Sequence, residues 1–506
     1  MGPHMNEQLD DTQKSNQGLI QTQNSEAKDP NEIKPHDFER KKYPTTYKSI
    51  FNCTINFLIA IPTILFHLPI ILVSCVICAL IPLPTMFRRC LQRNLKVYIE
   101  QVLNTVLGLW FKKTFYVAVD SRLLDLIDDC NKKNRFPKIL TISNHISEVD
   151  WLFMKLMAER LNFLRYTYIV MKQALSEIPI LGFILRSLGH TFVVREKSNP
   201  DKVKDQSKEN RDTNKVSKDS LAIKSFARNL RGNFEESSGT FSEFWKKVSN
   251  FLVKIRLVPR SPGANGLYFP EGTIFYKKSY ENMLEFHKKA AEKSETAQTT
   301  ESFKPEYVLL PRPLGTSVLL AELSDFLDCI CDTTLFTMPF VPSTFDCISF
   351  ADIFLCKAPA FTFCMKMDRL DIPEDIKNHI KKLEETCFER PDALTDQEKL
   401  VKNRVSEFLY EALKKNNDLI KNYVEEYNGE FQSEDEFSKF IEENSKNETP
   451  GFNMQTMPIK IESPYKSMIF FAPVLFFSFL ICYYFRKAEF LKLLFTKKAV
   501  SAIILE

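Results

Sequence analysis

The chain has 506 residues, 44% of them apolar, which is more than one typical domain and ample for a sizeable core. Its 68 Lys and Arg against 64 Asp and Glu leave a net charge of +4, a balance that argues against a nucleic-acid partner. The 12 cysteines are scattered without paired metal-ligand spacing and read as reduced thiols; Cys75 and Cys78 form a CxxC by count only, inside an apolar segment.

Met1-Gly2-Pro3-His4 ahead of Met5 reads as a cloning scar and is set aside. Residues 1–45 are otherwise polar, without apolar periodicity, and read as a disordered tail. Residues 46–91 form the first segment that must leave water. It is apolar from Phe57 to Phe87 but interrupted by Pro62, Pro69, Pro82 and Pro84, which predicts a broken pair of short membrane-embedded helices. Arg88, Arg89, Arg93 and Lys96 follow at once, placing the domain that follows on the cytosolic side.

A domain over 92–365 comes next. Residues 92–132 read as helical; from 137 onward strands and helices alternate, which argues for an α/β layer fold, a mixed sheet flanked by helices. Strands are expected at 138–143, 166–170, 191–195, 266–269 and 306–310. Helices are expected at 151–162 and from Gln173 toward Leu188, with a bend at Pro179 and Gly182. Residues 197–240 read as a largely disordered insertion. After it, Phe241, Phe244, Trp245, Val248, Phe251, Leu252 and Ile255 follow a helical period. That helix is either a crossover feeding the strand near 266 or a basic membrane-surface helix, the crossover being the preferred placement. Helices at 316–328, 374–388 and 395–422 carry the chain through a helical extension, 366–427, to a linker at 428–465. In the final segment, 466–506, Met468–Phe485 is an apolar run with the length and flanks of a transmembrane helix, followed by an interfacial tail.

Ser143-Asn144-His145-Ile146-Ser147-Glu148-Val149-Asp150-Trp151 stands between the first expected strand and the first helix of that domain. Residues five apart on a regular helix point about 140° away from each other. His145 therefore lies in the turn before the helix, and Asp150 on its first turn, if the two touch. A carboxylate behind an imidazole fixes its tautomer and stabilises the imidazolium, as a general base for a hydroxyl requires. The plain alternative is a turn histidine beside an aspartate at a dipole-favoured helix start.

Three further blocks follow in order: Gly189-His190-Thr191-Phe192-Val193-Val194-Arg195, Phe269-Pro270-Glu271-Gly272-Thr273, and Val308-Leu309-Leu310-Pro311-Arg312. Together with the His145 block they resemble motifs I to IV of the glycerolipid acyltransferases, the family of the 1-acylglycerol-3-phosphate and lysophospholipid acyltransferases. The resemblance implies an acyl-CoA-dependent transfer to a lysophospholipid hydroxyl in a bilayer, with no cofactor and no metal. It makes His145 the base and Asp150 its orienting carboxylate, and leaves the turn around Asn144 as a source of oxyanion donors. Arg195 and Arg312 are implied to bind acceptor phosphate, since a guanidinium binds it bidentately; the alternative is surface ion pairing. Glu271, Gly272 and Thr273 resemble the acceptor-site turn, the carboxylate orienting arginines or glycerol hydroxyls. Lys172 is implied to meet coenzyme A phosphates, or is a solvated lysine. Many family members have arginine where this chain has Ile274, a departure that resembles the lysocardiolipin and lysophosphatidylinositol branch. The expected location is the endoplasmic reticulum membrane. A coenzyme-A-independent transacylase of the tafazzin kind and an inactive membrane scaffold are the competing readings.

Overall fold

The structure, a computed structural model, describes residues 43–460 except 81–91, 194–217, 235–263, 294–304 and 446–453 and several shorter stretches between 93 and 392. The expected transmembrane run 468–485 and the amphipathic run 241–255 lie outside the described residues.

The chain enters as one helix, α1 (Tyr47–Leu80), with Pro62 and Pro69 inside it. The expected break into two helices does not occur at either proline. Packing carries the helix across both: Asn56 donates to Leu109 O before them and His67 meets the Tyr98 hydroxyl between them. Ile71 and Cys75 pack beyond them. By length and composition α1 is a candidate membrane span.

The reading of 92–132 as helical needs correction. The chain forms β1 (Thr114–Asp120) before α2 (Ser121–Lys132), and Val117, Ala118 and Val119 are all buried. A strand covered on both faces shows no alternation, so its sequence looks like any apolar run. Asp120 then caps α2 by accepting the Arg122 N–H at 2.8 Å.

Next come β2 (Lys138–Ser143), α3 (Asp150–Arg160), β3 (Thr167–Lys172), α4 (Gln173–Glu177), α5 (Leu181–Ser187) and β4 (Thr191–Val193). The bend expected near Pro179 and Gly182 separates α4 from α5. Residues 218–234, read from sequence as part of a disordered insertion, form α6 (Lys218–Phe234). Its Phe226, Ala227 and Leu230 are buried at helical spacing against the sheet.

Then follow β5 (Ala264–Tyr268), α7 (Lys277–Lys293) and α8 (Pro313–Leu323). Residues 306–310 are an ordered loop and not the expected strand. Between the helices expected at 316–328 and 374–388 the chain forms β6 (Cys329–Met338), the short helices α9 (Thr344–Cys347) and α10 (Phe350–Phe354), and β7 (Thr362–Leu370). Helices α11 (Glu374–Ile380), α12 (Asp396–Tyr427) and α13 (Glu434–Ser445) lead to β8 (Met454–Lys460). The last two elements fall where a linker was expected. β8 pairs antiparallel with β1 and so belongs to the sheet.

The eight strands run in the order β4-β3-β5-β2-β6-β7-β1-β8. From β4 to β6 every pairing is parallel; β6–β7 and β1–β8 are antiparallel. This is the mixed, helix-flanked α/β sheet that the alternation predicts. One face buries α2, α3 and part of α1 with Ile139, Ile169 and Leu267; the other buries α6, α8 and α12 with Leu140, Ile142 and Ile330.

Candidate active site

Parallel pairing aligns the carboxyl ends of β4, β3, β5, β2 and β6 along one sheet edge, the edge where open α/β sheets bind ligands. His145 lies two residues beyond β2, Glu271 three beyond β5, and Lys172 is the last residue of β3. Two of the motifs and Lys172 therefore converge there because the topology puts them there.

His145 Nδ1 sits 2.7 Å from Asp150 Oδ2, and the Asp150 side chain is fully buried while that of His145 is 16% exposed. The same Oδ2 accepts the backbone N–H groups of Ile146 at 3.1 Å and Ser147 at 3.3 Å, and Oδ1 accepts that of Trp151 at 2.6 Å. Three amides and one imidazole converge on an anion at a helix start, where the helix dipole also favours it. With Nδ1 directed at a carboxylate, the proton resides there and Nε2 carries the lone pair. Among the described residues Nε2 has no hydrogen-bond partner. Phe269 stacks on the ring at 4.2 Å with 20° between planes, which fixes the imidazole from the side.

Glu271 is 2% exposed, and its carboxylate accepts the His145 N–H at 3.1 Å and the Leu309 N–H at 3.2 Å. Burial pushes its carboxyl well above the usual range; the two amides pull it back, and the Asp150 charge adds to the rise. Both of its oxygens are engaged with backbone amides, and among the described residues no arginine side chain hydrogen-bonds to it. Glu271 ties the Phe269–Thr273 loop to the histidine and to the loop ending in Arg312. Gly272 has φ 70°, the left-handed region that glycine enters without strain, and closes the turn by donating to Phe269 O at 3.0 Å. Phe275 N–H donates to His145 O at 2.6 Å and Arg312 N–H to Pro270 O at 2.8 Å.

Sequence reading missed two further ties. Asn144 is buried and clamps the β6 backbone, donating to Leu335 O at 2.8 Å and accepting Leu335 N–H at 2.7 Å. Ser343 donates to Phe275 O at 3.1 Å and Thr344 to Ile146 O at 2.8 Å, so the turn after β6 straps both motif loops. An asparagine next to the histidine was the visible signal for the first; nothing local marks the second. The oxyanion donors expected from the turn around Asn144 are not open either. The amides of His145, Ile146 and Ser147 are already bonded to Glu271 and Asp150.

Arg312 is exposed at the N-terminus of α8, Lys172 is exposed at the end of β3, and Thr273 is half-buried. Ile274 is buried. Arg195 lies outside the described residues.

Residues 129–230 match the family model described as Acyltransferase, a span that holds His145 and Asp150 and stops short of Glu271. An uncharacterized acyltransferase of Saccharomyces cerevisiae is 24% identical over 198 residues, which cover 39% of this chain and 41% of the relative. Together with the His145–Asp150 dyad, both similarities support an acyltransferase.

Proposed function

We propose that this chain is a membrane-bound O-acyltransferase that moves a fatty acyl group from acyl-CoA to the free hydroxyl of a lysophospholipid. The observation that carries the reading is the imidazole of His145, held at Nδ1 by buried Asp150 and open at Nε2 on the carboxyl edge of the sheet. Nε2 takes the proton of the acceptor hydroxyl as its oxygen attacks the thioester carbonyl. The tetrahedral intermediate collapses with cleavage of the C–S bond. The imidazolium, stabilised by Asp150, returns the proton to the departing thiolate. Ester and free coenzyme A thiol result, and no covalent enzyme intermediate is needed.

The cations of this edge supply phosphate binding. Arg312 and Lys172 are exposed there. Arg195, two residues beyond β4, is assigned to the acceptor from its motif alone. Gly272 and Thr273 form the acceptor-side turn, and Glu271 keeps that turn against the histidine. Helix α1 attaches the domain to the bilayer, which this reading takes to be that of the endoplasmic reticulum.

The deciding experiment incubates purified full-length protein with a panel of lysophospholipids and one radiolabelled acyl-CoA. Labelled phospholipid is expected with at least one acceptor and none with His145→Ala. Transfer that occurs only from a phospholipid donor, without acyl-CoA, replaces this reading with a transacylase. No transfer from either donor leaves an inactive scaffold.

A further inference from the structure

The segment Ser176–Phe183 joins α4 to α5 in an unusual way. Leu181 N–H donates to Pro179 O at 2.7 Å, closing a three-residue turn around Ile180 with φ 65° and ψ −57°. That turn is rare and strained, and for a β-branched residue it is an outlier. Gly182 N–H donates to Ile178 O at 2.8 Å, and Arg186 Nη2 donates to Ser176 O at 2.9 Å. The backbone at Gly182 lies so close that a Cβ there would stand 2.1 Å from Ser176 O. The loop is braced, and the bracing holds apolar side chains outward. Ile178, Ile180, Leu181 and Phe183 are each between 40% and 51% exposed. Strain that persists needs surrounding structure to maintain it, and it concentrates at functional positions. A cluster of large exposed apolar side chains marks a contact surface.

What covers the cluster follows from its neighbours. On the other side of α5, Ile184 and Leu188 pack on Ile71 and Cys75 of α1. Beside that seam Val73 and Val76 of α1 are exposed, as are Leu65 and Phe66 further along the helix. The loop patch therefore continues the exposed apolar face of a helix that is long and apolar enough to cross a membrane. Between Gln173 and Leu185 the only charged residue is Glu177. The segment also departs from β3 at the edge that carries His145.

We propose that Ile178, Ile180, Leu181 and Phe183 insert into the acyl boundary of the bilayer as a second membrane contact beside α1. This rests on the membrane part of the proposed function and deepens it. With α1 alone the catalytic edge is tethered; with the loop inserted beside it, the edge faces the lipid from which an amphiphilic acceptor arrives.

The test uses full-length protein in liposomes whose lipids are brominated on the acyl chains, with quenching of an added tryptophan read against the unsubstituted protein. Ile180→Trp and Phe183→Trp probe the loop, Leu65→Trp probes α1, and Leu400→Trp on α12 probes the opposite face of the sheet. Quenching of either loop probe to the extent of the α1 probe, with Leu400→Trp unquenched, is the expected result. Phe183→Trp leaves the strained turn untouched, so a misfolded Ile180→Trp does not void the test. Quenching at Leu65→Trp with none at either loop position overturns the inference and leaves the membrane reading standing. No quenching at any position overturns both. A loop that is unquenched in liposomes, but shielded from an aqueous maleimide as Phe183→Cys in native membranes, marks a protein partner and also overturns it.

Discussion

Glu271 holds the backbone of His145: its buried carboxylate accepts the histidine N–H at 3.1 Å while its other oxygen accepts Leu309 N–H at 3.2 Å. The carboxylate thereby bridges the His145 loop and the loop that ends in Arg312. Glu271→Ala leaves two buried amides without an acceptor, at about 1–3 kcal/mol each. Thermal unfolding should show a loss of about 2–6 kcal/mol, and kcat should fall because the histidine loop loosens. Glu271→Gln keeps one carbonyl oxygen and should lie between Ala and wild type in both measurements. A Glu271→Ala protein of wild-type stability that only raises the acceptor KM would restore the substrate-binding role.

The dyad predicts a sharper kinetic pattern. His145→Ala should lose about 10²–10⁴ in kcat, the range a positioned base contributes. Asp150→Asn should be nearly as impaired, since one oxygen serves His145, Ile146 and Ser147 together and an amide nitrogen cannot replace it. Acceptor KM should change little in both variants, because neither group is charged with binding. If His145→Ala keeps more than about a hundredth of the wild-type rate, the base is elsewhere.

The His145–Asp150 pairing was legible in sequence because both residues lie in one short block adjoining the end of a parallel strand. A five-residue offset at a strand–helix junction leaves only one way for His145 and Asp150 to meet, and they meet that way. The roles of Glu271 and Asn144 were not legible, because each depends on a partner far along the chain, at Leu309 and at Leu335. The same cause explains the fold errors. β1 is buried on both faces and so lacks alternation. β8 contains Pro458, its Met454, Met457 and Ile459 follow no strict alternation, and only the β1 edge makes it a strand. The unbroken α1 depends on packing partners that its prolines do not reveal.

Behind the site, a buried polar group gives a pH signature. Asp332 on β6 faces Asp368 on β7 in register and accepts Asn416 Nδ2–H at 3.2 Å; Lys366 reaches Asp368 at 2.8 Å. Burial raises the Asp332 carboxyl to about 7, Asp368 adds to the rise, and Asn416, Lys366 and Lys415 oppose it. An unfolded aspartate titrates near ~3.9. Between these values the folded state holds a proton that the unfolded state has released, so stability falls as pH rises through this window. Asp332→Asn keeps an acceptor for Asn416 and removes the ionisation. Its melting temperature should match wild type near pH 4 and exceed it at pH 8, with a gain bounded by about 4 kcal/mol at ~1.4 kcal/mol per unit. Parallel melting curves for the two proteins across that range would reject the assignment.

Gly315 in the first turn of α8 tests how the second sheet face supports the site. A Cβ there would stand 2.0 Å from the Tyr268 hydroxyl and 3.0 Å from its Cζ. Tyr268 ends β5 immediately before Phe269, whose ring stacks on His145. Gly315→Ala should therefore destabilise by about 1–3 kcal/mol, typical of overpacking, and lower kcat as well. Adding Tyr268→Phe removes the closest atom and should recover part of both losses. Additive losses in the double variant would show that the two positions do not interact.

The last prediction concerns the acceptor. Ile274 is buried, so position 274 contributes no cation to the acceptor side, where an arginine is common in the resembling family. A terminal phosphomonoester carries nearly two charges and a phosphodiester one; the diester therefore needs fewer cations and more room for its head group. Arg312 and Arg195 suffice for one charge, and Arg195→Ala should mainly raise the acceptor KM while leaving that of acyl-CoA nearly unchanged. Lysophosphatidylinositol or a related diester should be used at least as well as lysophosphatidic acid. The competing possibility is local. Lys277 and Lys278 open α7 three and four residues beyond Ile274 with exposed side chains, and either one reaching back would restore a second cation. Measuring kcat/KM for both acceptors separates the two. A preference of tenfold or more for lysophosphatidic acid, about 1.4 kcal/mol, rejects the diester reading. Loss of that preference in Lys277→Ala or Lys278→Ala would then identify the cation responsible.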